Sequence, residues 1–588
     1  MYNKLKIKTM LKDSLKTNKV VAANGDSGSS EDSTYKYKNP TPGEIPIIGY
    51  LVSHNKSFEL KNVNPQDIKV EENFTPYVPD EPGNPTELDD RQNVLNFSAA
   101  GCNLALNGVV TNKDTNYIEL QKYAYNKLGL IVSNIGKLCA EPVANNTNNE
   151  GPFESFINAF KADSNIEDDK YKKVAAFLLC DEPSLELLEG SEYINSNTLS
   201  FYYKRLVEKC TPEGLDALVL INLVAIHGKN RTATEYQRYL DAYEVNFNPL
   251  FYSVDVYPIL QWNPLVITEN SLSGMSSSLR AGEIVQVHER FYRTLEMVSA
   301  QARNNNNKPF WYYPLVGEHF NHNSFYYPAQ KEEYMRYSIF TALAYGAKGV
   351  VLWRMLENID DRKNLFLVHD HADYNPESYM RHPINADRTR SPFWYYVRRI
   401  IREIKRYESI FLNSKVVDTF HTGLEKMADY AQSIYDPSTP GVLPYVKHGW
   451  APGVENPIPP ETRTAEVWGL RPLNSDSRTV FKSIESPEEG FGVLVSHLED
   501  DNNAEDQQEQ KKNAQSPVKK NYYMVVNHDA ANAQKIRINF LSGYKIKELT
   551  PRSSNNIIIN NEINTTTTSS IERLLAPGGY IIFQQIND

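Results

Sequence analysis

The sequence predicts an α/β fold: a (β/α)8 barrel over residues 44–412, followed by an all-β sandwich over 413–588. Three observations carry this. Eight short apolar runs alternate with helix-period segments through the first part. Past Leu412 the pattern changes to short strands separated by polar, turn-rich stretches. No Gly-rich dinucleotide loop follows the first run, so the structural rival, an open doubly wound sheet, lacks its main signal.

Taken in order, residues 1–43 are rich in Lys, Ser, Asn, Asp and Gly without periodicity and read as a disordered leader. The first strand is expected over 45–51, a helix over 89–100, the second strand over 103–106, a helix over 116–128 and the third strand over 130–135. The fourth strand is the most telling. Residues 174–179 are six apolar residues in a row, too short for a helix and too unbroken for a half-exposed strand, so they belong to a strand buried on both faces. Asp181 and Glu182 follow at once. Pro183 then forces a turn, and Ser184 is a good helix opener.

A helix over 197–209 leads to the fifth strand over 217–224, and a helix over 234–245 to the sixth over 250–257. A long helical pattern covers 279–303, with the seventh strand over 309–316. A helix over 330–345 stops at Gly346 before the eighth strand over 349–353. A helix over 392–407 closes the series. Beyond it, strands are expected over 415–421, 492–495, 522–527, 535–539, 557–559 and 580–584, with a charged, disordered loop near 499–520.

Composition narrows the function. A net charge of −11 disfavours nucleic acid and anionic membranes as main partners. No run of eighteen apolar residues provides a membrane span. The four cysteines, Cys102, Cys139, Cys180 and Cys210, include no C-x-x-C pair and read as small buried hydrophobes. The basic N-terminus lacks the apolar core of a signal peptide, which leaves a cytoplasmic location open. The oligomeric state is undetermined by sequence.

In a barrel the C-terminal strand ends line the active face. Here they supply Asn107, Asn134, Asp181, Glu182, His227, Asp255, Tyr257, Glu318, His319, Asn321, Trp353 and Arg354. The set is rich in carboxylates and aromatics. It holds no metal-spaced His/Asp cluster, no G-x-S-x-G elbow and no phosphate loop, so neither metal nor organic cofactor is implied. Two carboxyls facing each other across a barrel mouth suit glycoside hydrolysis, in which one protonates the leaving oxygen and the other attacks or activates water. Strands four and seven lie almost opposite in an eight-stranded barrel. Glu182 and Glu318 are therefore the expected catalytic pair, with Asp181, Asp255, Tyr257, His319, Trp353 and Arg354 as substrate-binding residues for an oligo- or polysaccharide.

This placement resembles the large clan of retaining (β/α)8 glycoside hydrolases that includes the family-42 β-galactosidases. Residues 177–184 (FLLCDEPS), 338–353 (SIFTALAYGAKGVVLW) and 574–584 (LLAPGGYIIFQ) also resemble uncharacterised bacterial glycosidase-like proteins. The resemblance implies acid/base catalysis at the end of strand four, a nucleophile at the end of strand seven, a retaining mechanism and an extracytoplasmic (periplasmic or secreted) site. One departure stands out: the clan carries Asn-Glu where this chain has Asp181-Glu182.

Each candidate also has a plain structural reading. Glu182 also reads as a helix N-terminal carboxylate stabilised by the macrodipole, Glu318 as a solvated loop residue, and Asp255 as a paired carboxylate in an apolar strand. Two other functions therefore stay open. One is a non-catalytic carbohydrate-binding or surface protein on a degenerate barrel; the other is a carboxylate-driven lyase.

Overall fold

The computed structural model describes residues 37–51, 93, 95–107, 130–134, 175–193, 197–210, 217–226, 232–262, 284–322, 325–356, 382–385, 389–435, 469–474, 477–500, 519–549 and 561–586. Cys139, His227, the predicted helix over 116–128 and the strand over 557–559 lie outside these residues, as do most of the leader and of the 499–520 loop.

The expected apolar runs are strands of one parallel sheet. They are β1 (Ile47–Leu51), β2 (Leu104–Asn107), β3 (Leu130–Asn134), β4 (Ala176–Asp181), β5 (Leu218–Asn222), β6 (Tyr252–Asp255), β9 (Phe310–Tyr313) and β12 (Ala347–Leu352). Between and around them lie four short strands, β7 (Ile259–Trp262), β8 (Ile284–Gln286), β10 (His319–His322) and β11 (Phe325–Tyr327). The large sheet runs β5-β4-β3-β2-β1-β12-β9-β6, all pairs parallel. Its two ends, β5 and β6, meet at a parallel bridge between Leu223 and Val254, where the Leu223 N–H donates to the Ser253 carbonyl at 2.7 Å.

Alternate residues of these strands share one apolar core that includes Ile48, Leu104, Leu178, Leu220, Trp311 and Val351. Fully buried side chains of this kind contribute roughly 1.5–3 kcal/mol each. Gly349 is required by that packing, because a Cβ there would stand 2.5 Å from the Trp311 ring. Within the predicted leader, Tyr37 packs on Phe251, and its hydroxyl accepts from Trp311 Nε1 at 3.3 Å. Apolar burial thus extends upstream of the expected first strand.

Helices cover the sheet where the periodicity placed them: Leu199–Lys209, Ala233–Phe247, Glu332–Ala344 and Pro392–Arg406. Ala233–Phe247 begins on a full capping box, with Thr232 and Glu235 satisfying each other's backbone N–H. One expectation needs correction. The helical pattern over 279–303 divides, and the helix is His288–Asn304, because Ile284–Gln286 pairs antiparallel with Ile259–Gln261. Ile284, Val285 and Val287 fit a helical stripe in sequence, but tertiary strand pairing decides their conformation.

From Ser414 onward the strands are antiparallel. A six-stranded sheet combines β13 (Ser414–His421), β15 (Val493–Asp500), β16 (Asn521–Asn527), β21 (Tyr580–Ile586), β18 (Lys545–Glu548) and β19 (Asn561–Asn564). A three-stranded sheet combines β14 (Phe481–Glu485), β17 (Gln534–Phe540) and β20 (Ser570–Leu575). The two share one core, in which Val495, Val525 and Phe583 of the first meet Phe481, Ile538 and Phe540 of the second. This layer joins the parallel sheet's helices through Ser496 Oγ, which donates to the Ala344 carbonyl at 2.5 Å, and Thr419 Oγ1, which donates to Glu296 Oε2 at 2.7 Å.

Candidate active site

The fourth strand delivers its carboxyls through two backbone irregularities. A β-bulge between Leu178 and Cys180 shifts the register against β5, so that Asp181 stands opposite Asn222. Glu182 then adopts a left-handed backbone at φ 49°, with its N–H donating to the Asn222 carbonyl at 2.8 Å. For a residue carrying a Cβ this conformation costs about 1–2 kcal/mol, and such strain concentrates at functional sites. Pro183 is buried and its carbonyl accepts from Tyr239 Oη at 3.1 Å. Ser184 caps the short helix Leu185–Glu189, its Oγ accepting from the Leu187 N–H at 3.2 Å.

Three strand ends are tied laterally by side chains. Ser253 Oγ of β6 donates to Asn222 Oδ1 at 3.2 Å, and Asn222 Nδ2 donates to Asp181 Oδ1 at 2.9 Å. Asp255, at the end of β6, is 7% exposed and accepts from Tyr257 Oη at 3.0 Å. The Tyr257 ring meets Tyr327 edge to face with centroids 5.1 Å apart, and Tyr327 stacks on His319 at 5.7 Å. The hairpin of β10 and β11 pairs His319 with Tyr327, and so carries both to the site.

Asp181, Glu182, Asp255, Tyr257, His319 and Trp353 line one cavity of about 120 Å³. These are six of the eight residues expected from sequence. Glu318 and Arg354 are not among its described walls. Glu318 is fully buried directly before His319, and the N–H of Val316 just upstream donates to the Trp353 carbonyl at 3.0 Å. The backbones cross so closely that Gly317 admits no side chain: a Cβ would stand 2.6 Å from the Arg354 carbonyl oxygen. Arg354 also has a left-handed backbone at φ 65°, and its guanidinium lies 5.3 Å from the Trp353 ring centroid.

Sequence reading missed four walls: Asn222, Arg290, Tyr313 and Tyr327. Asn222 ends the fifth strand, so the strand-end rule alone points to it. Tyr313 lies inside an apolar run, and Arg290 and Tyr327 reach the cavity from a helix and a hairpin whose positions depend on tertiary packing.

Electrostatics distinguish the carboxyls. Asp181 is open to solvent at its tip but flanked by protein. Partial desolvation, opposed by the Asn222 hydrogen bond and aided by the charge of Glu182, pushes it up to about 6. Asp255 lies well above the usual carboxylate range because of burial and then the charges of Glu182 and Asp181. Burial, with Arg354 nearby, holds His319 well below its ordinary value, so the ring is neutral. Among the described residues, no group of three His, Cys, Asp or Glu side chains is arranged to hold a metal ion.

A larger groove of about 990 Å³ lies on the outer helices beside Glu189, Arg238 and Asp241. Arg238 and Glu189 are paired there at 2.5 Å, and the groove brings no facing carboxyls together. The strand-end cavity is the better candidate despite its size.

No family model matches the chain, and no curated protein matches it. Among solved structures it is similar to a β-galactosidase from Bacillus circulans sp. alkalophilus, at 10% identity over 92% of this chain and 99% of that one, with a TM-score of 0.41. A family 39 glycoside hydrolase from Bacteroides cellulosilyticus matches at 10% identity over 93% and 81%, with a TM-score of 0.38. An α-amylase from Anoxybacillus matches at 9% identity over 94% and 99%, with a TM-score of 0.33. All three are glycoside hydrolases.

Proposed function

We propose that the chain is a glycoside hydrolase acting on an oligo- or polysaccharide, built as a (β/α)8 barrel over 44–412 and a β-sandwich over 413–588. The barrel reading is supported by the eight parallel strands and the Leu223–Val254 bridge between the ends of their order. The observation that carries the function is the cavity itself. Three carboxyls on two strand ends converge with Tyr257, Tyr327 and Trp353, pairing acid/base groups with rings suited to stacking on a sugar.

In the proposed retaining mechanism Glu182 gives its proton to the glycosidic oxygen as the C–O bond breaks. Glu318 attacks the anomeric carbon and forms a glycosyl ester. Glu182, now a carboxylate, takes a proton from water as that water displaces Glu318, which restores both groups. Asp181 accepts from a sugar hydroxyl. Neutral His319 orients the sugar without adding a cation, and Trp353, braced by Arg354, forms a platform.

The test is hydrolysis of aryl glycosides and a broad glycan panel by wild type and by folded Glu182→Gln and Glu318→Gln variants. Wild type should cleave at least one glycoside. Glu182→Gln should lose on the order of 10²–10⁴-fold on unactivated leaving groups, and Glu318→Gln should abolish turnover. A wild type inert on the whole panel, yet retained by a glycan array, would replace the enzyme with a non-catalytic carbohydrate-binding protein.

A further inference from the structure

We propose that Asp255 is a positioning residue for the acid: its carboxyl and that of Glu182 face each other in the strand-end cavity and hold a single proton between them. The proton sharing rests on a buried, unpartnered carboxyl oxygen in a cavity that Glu182 also lines; its use in catalysis rests on the glycosidase reading.

Asp255 is 7% exposed, and its two oxygens differ. Oδ2 accepts from Tyr257 Oη at 3.0 Å. Oδ1 is buried and meets no hydrogen-bond partner among the described residues. The Glu182 carboxyl, another acceptor, lines the same cavity and pushes Asp255 upward. Two ionised carboxylates in one cavity repel each other, and Asp255 would be a buried charge with a donor on only one of its oxygens. A proton on Oδ1 removes both costs at once, because it turns acceptor facing acceptor into an O–H···O⁻ bond, the short and strong kind. Carboxylate dyads sharing one proton follow the same rule.

The carboxylates among the surroundings favour this state, and the Arg290 guanidinium opposes it. Asp181 faces Asp255 from the end of β4, Tyr236 from the helix Ala233–Phe247 and Tyr312 from β9, while Arg290 lines the same cavity. Tyr312 Oη is spent on the Val256 carbonyl at 2.7 Å. Tyr257 fixes Oδ2 as the acceptor, which leaves Oδ1 to carry the proton. Burial, followed by the two neighbouring carboxylate charges, displaces Asp255 upward in the same direction. In the catalytic cycle, Asp255 thus keeps a proton beside Glu182, where the leaving oxygen needs it.

Infrared spectroscopy tests the sharing without requiring turnover. At pH 8, where Asp181 is ionised, wild type should show the carbonyl stretch of a protonated carboxyl. Asp255→Asn should remove it, since the amide donates to Glu182 instead, and Glu182→Gln should remove or shift it. A band absent from wild type, or unchanged in Asp255→Asn, overturns the proposal; so does a band that Glu182→Gln leaves untouched. Where turnover is measurable, Asp255→Asn should move the alkaline limb of kcat/KM to lower pH, with a loss of about tenfold per unit of displacement above that limb. Rates on activated aryl leaving groups, which need no acid, should fall less than rates on unactivated ones. A uniform loss on all leaving groups with an unmoved pH profile would make Asp255 merely structural. Spectroscopic success with an inert wild type would sink the glycosidase reading and leave the shared proton standing.

Discussion

Two polar clusters of this molecule obey opposite rules. Where the antiparallel sheets meet the helices, Tyr345 Oη donates to His421 Nε2 at 2.9 Å, His421 Nδ1–H donates to His528 Nε2 at 3.1 Å, and His528 Nδ1–H donates to the Phe491 carbonyl at 3.1 Å. The carbonyl can only accept, so it fixes the tautomer of His528 and, in turn, that of His421. Every proton in this chain has a destination. Burial keeps both rings neutral, with His528 pushed down to about 3 and His421 well below its ordinary value. The strand-end cavity instead crowds three carboxyls together, places Glu182 in left-handed backbone and leaves Asp255 Oδ1 without a hydrogen-bond partner among the described residues. A satisfied network stabilises the fold. A frustrated one is retained at a stability cost, which is the mark expected of a functional site.

Breaking the satisfied cluster should give the larger stability change. His528→Ala removes a ring packed 4.9 Å from Tyr292 and strands the His421 Nδ1–H and the Phe491 carbonyl. A loss of about 2–4 kcal/mol in urea unfolding is expected, with kcat/KM unchanged at temperatures where the variant is folded. If activity falls while stability holds, the two clusters are not separate in role.

Acid sharpens the contrast. Below the ordinary histidine value of about 6.5 the unfolded chain binds protons that folded His528 refuses until about pH 3, so this histidine makes stability fall as pH falls. The expected slope is about 1.4 kcal/mol per pH unit for each such histidine. Asp181 works in reverse. Folded, it holds its proton up to about pH 6, above its unfolded value, so its contribution rises as pH falls through that window. Unfolding midpoints measured from pH 7 to pH 4 should drop in wild type and flatten in His528→Gln.

The smallest effect is Asp181→Asn at pH 7. Removing one like charge should raise stability by about 0.5 kcal/mol, since solvent screens much of the repulsion, and should weaken sugar binding. A destabilised Asp181→Asn would mean that the Asn222 hydrogen bond outweighs the repulsion.

Most of the parallel sheet was legible because strands buried on both faces read as unbroken apolar runs, as β4 and β5 do. The antiparallel part was less so. Strands such as Lys545–Glu548 and Ser570–Leu575 expose one face, and their charged residues read as loop. At the site, Asp255 announced itself by interrupting an apolar strand, and Glu182 by standing before a proline. Nothing in sequence signalled that the two would line one cavity, because that depends on the bulge in β4 and the left-handed turn at Glu182. Arg290 was hidden inside a helical pattern whose start was misplaced.

The central claim is that Glu318 attacks sugar while Glu182 supplies and removes the proton. It is tested most directly by incubating the enzyme with the 2-deoxy-2-fluoro analogue of the glycoside that it cleaves and mapping the adduct by mass spectrometry of its peptides. The account predicts one glycosyl group per chain, on the peptide bearing Glu318 and on that carboxyl. An adduct on Asp181 or Asp255, or a hydrolysed substrate that leaves no adduct and releases product of inverted configuration, would contradict it.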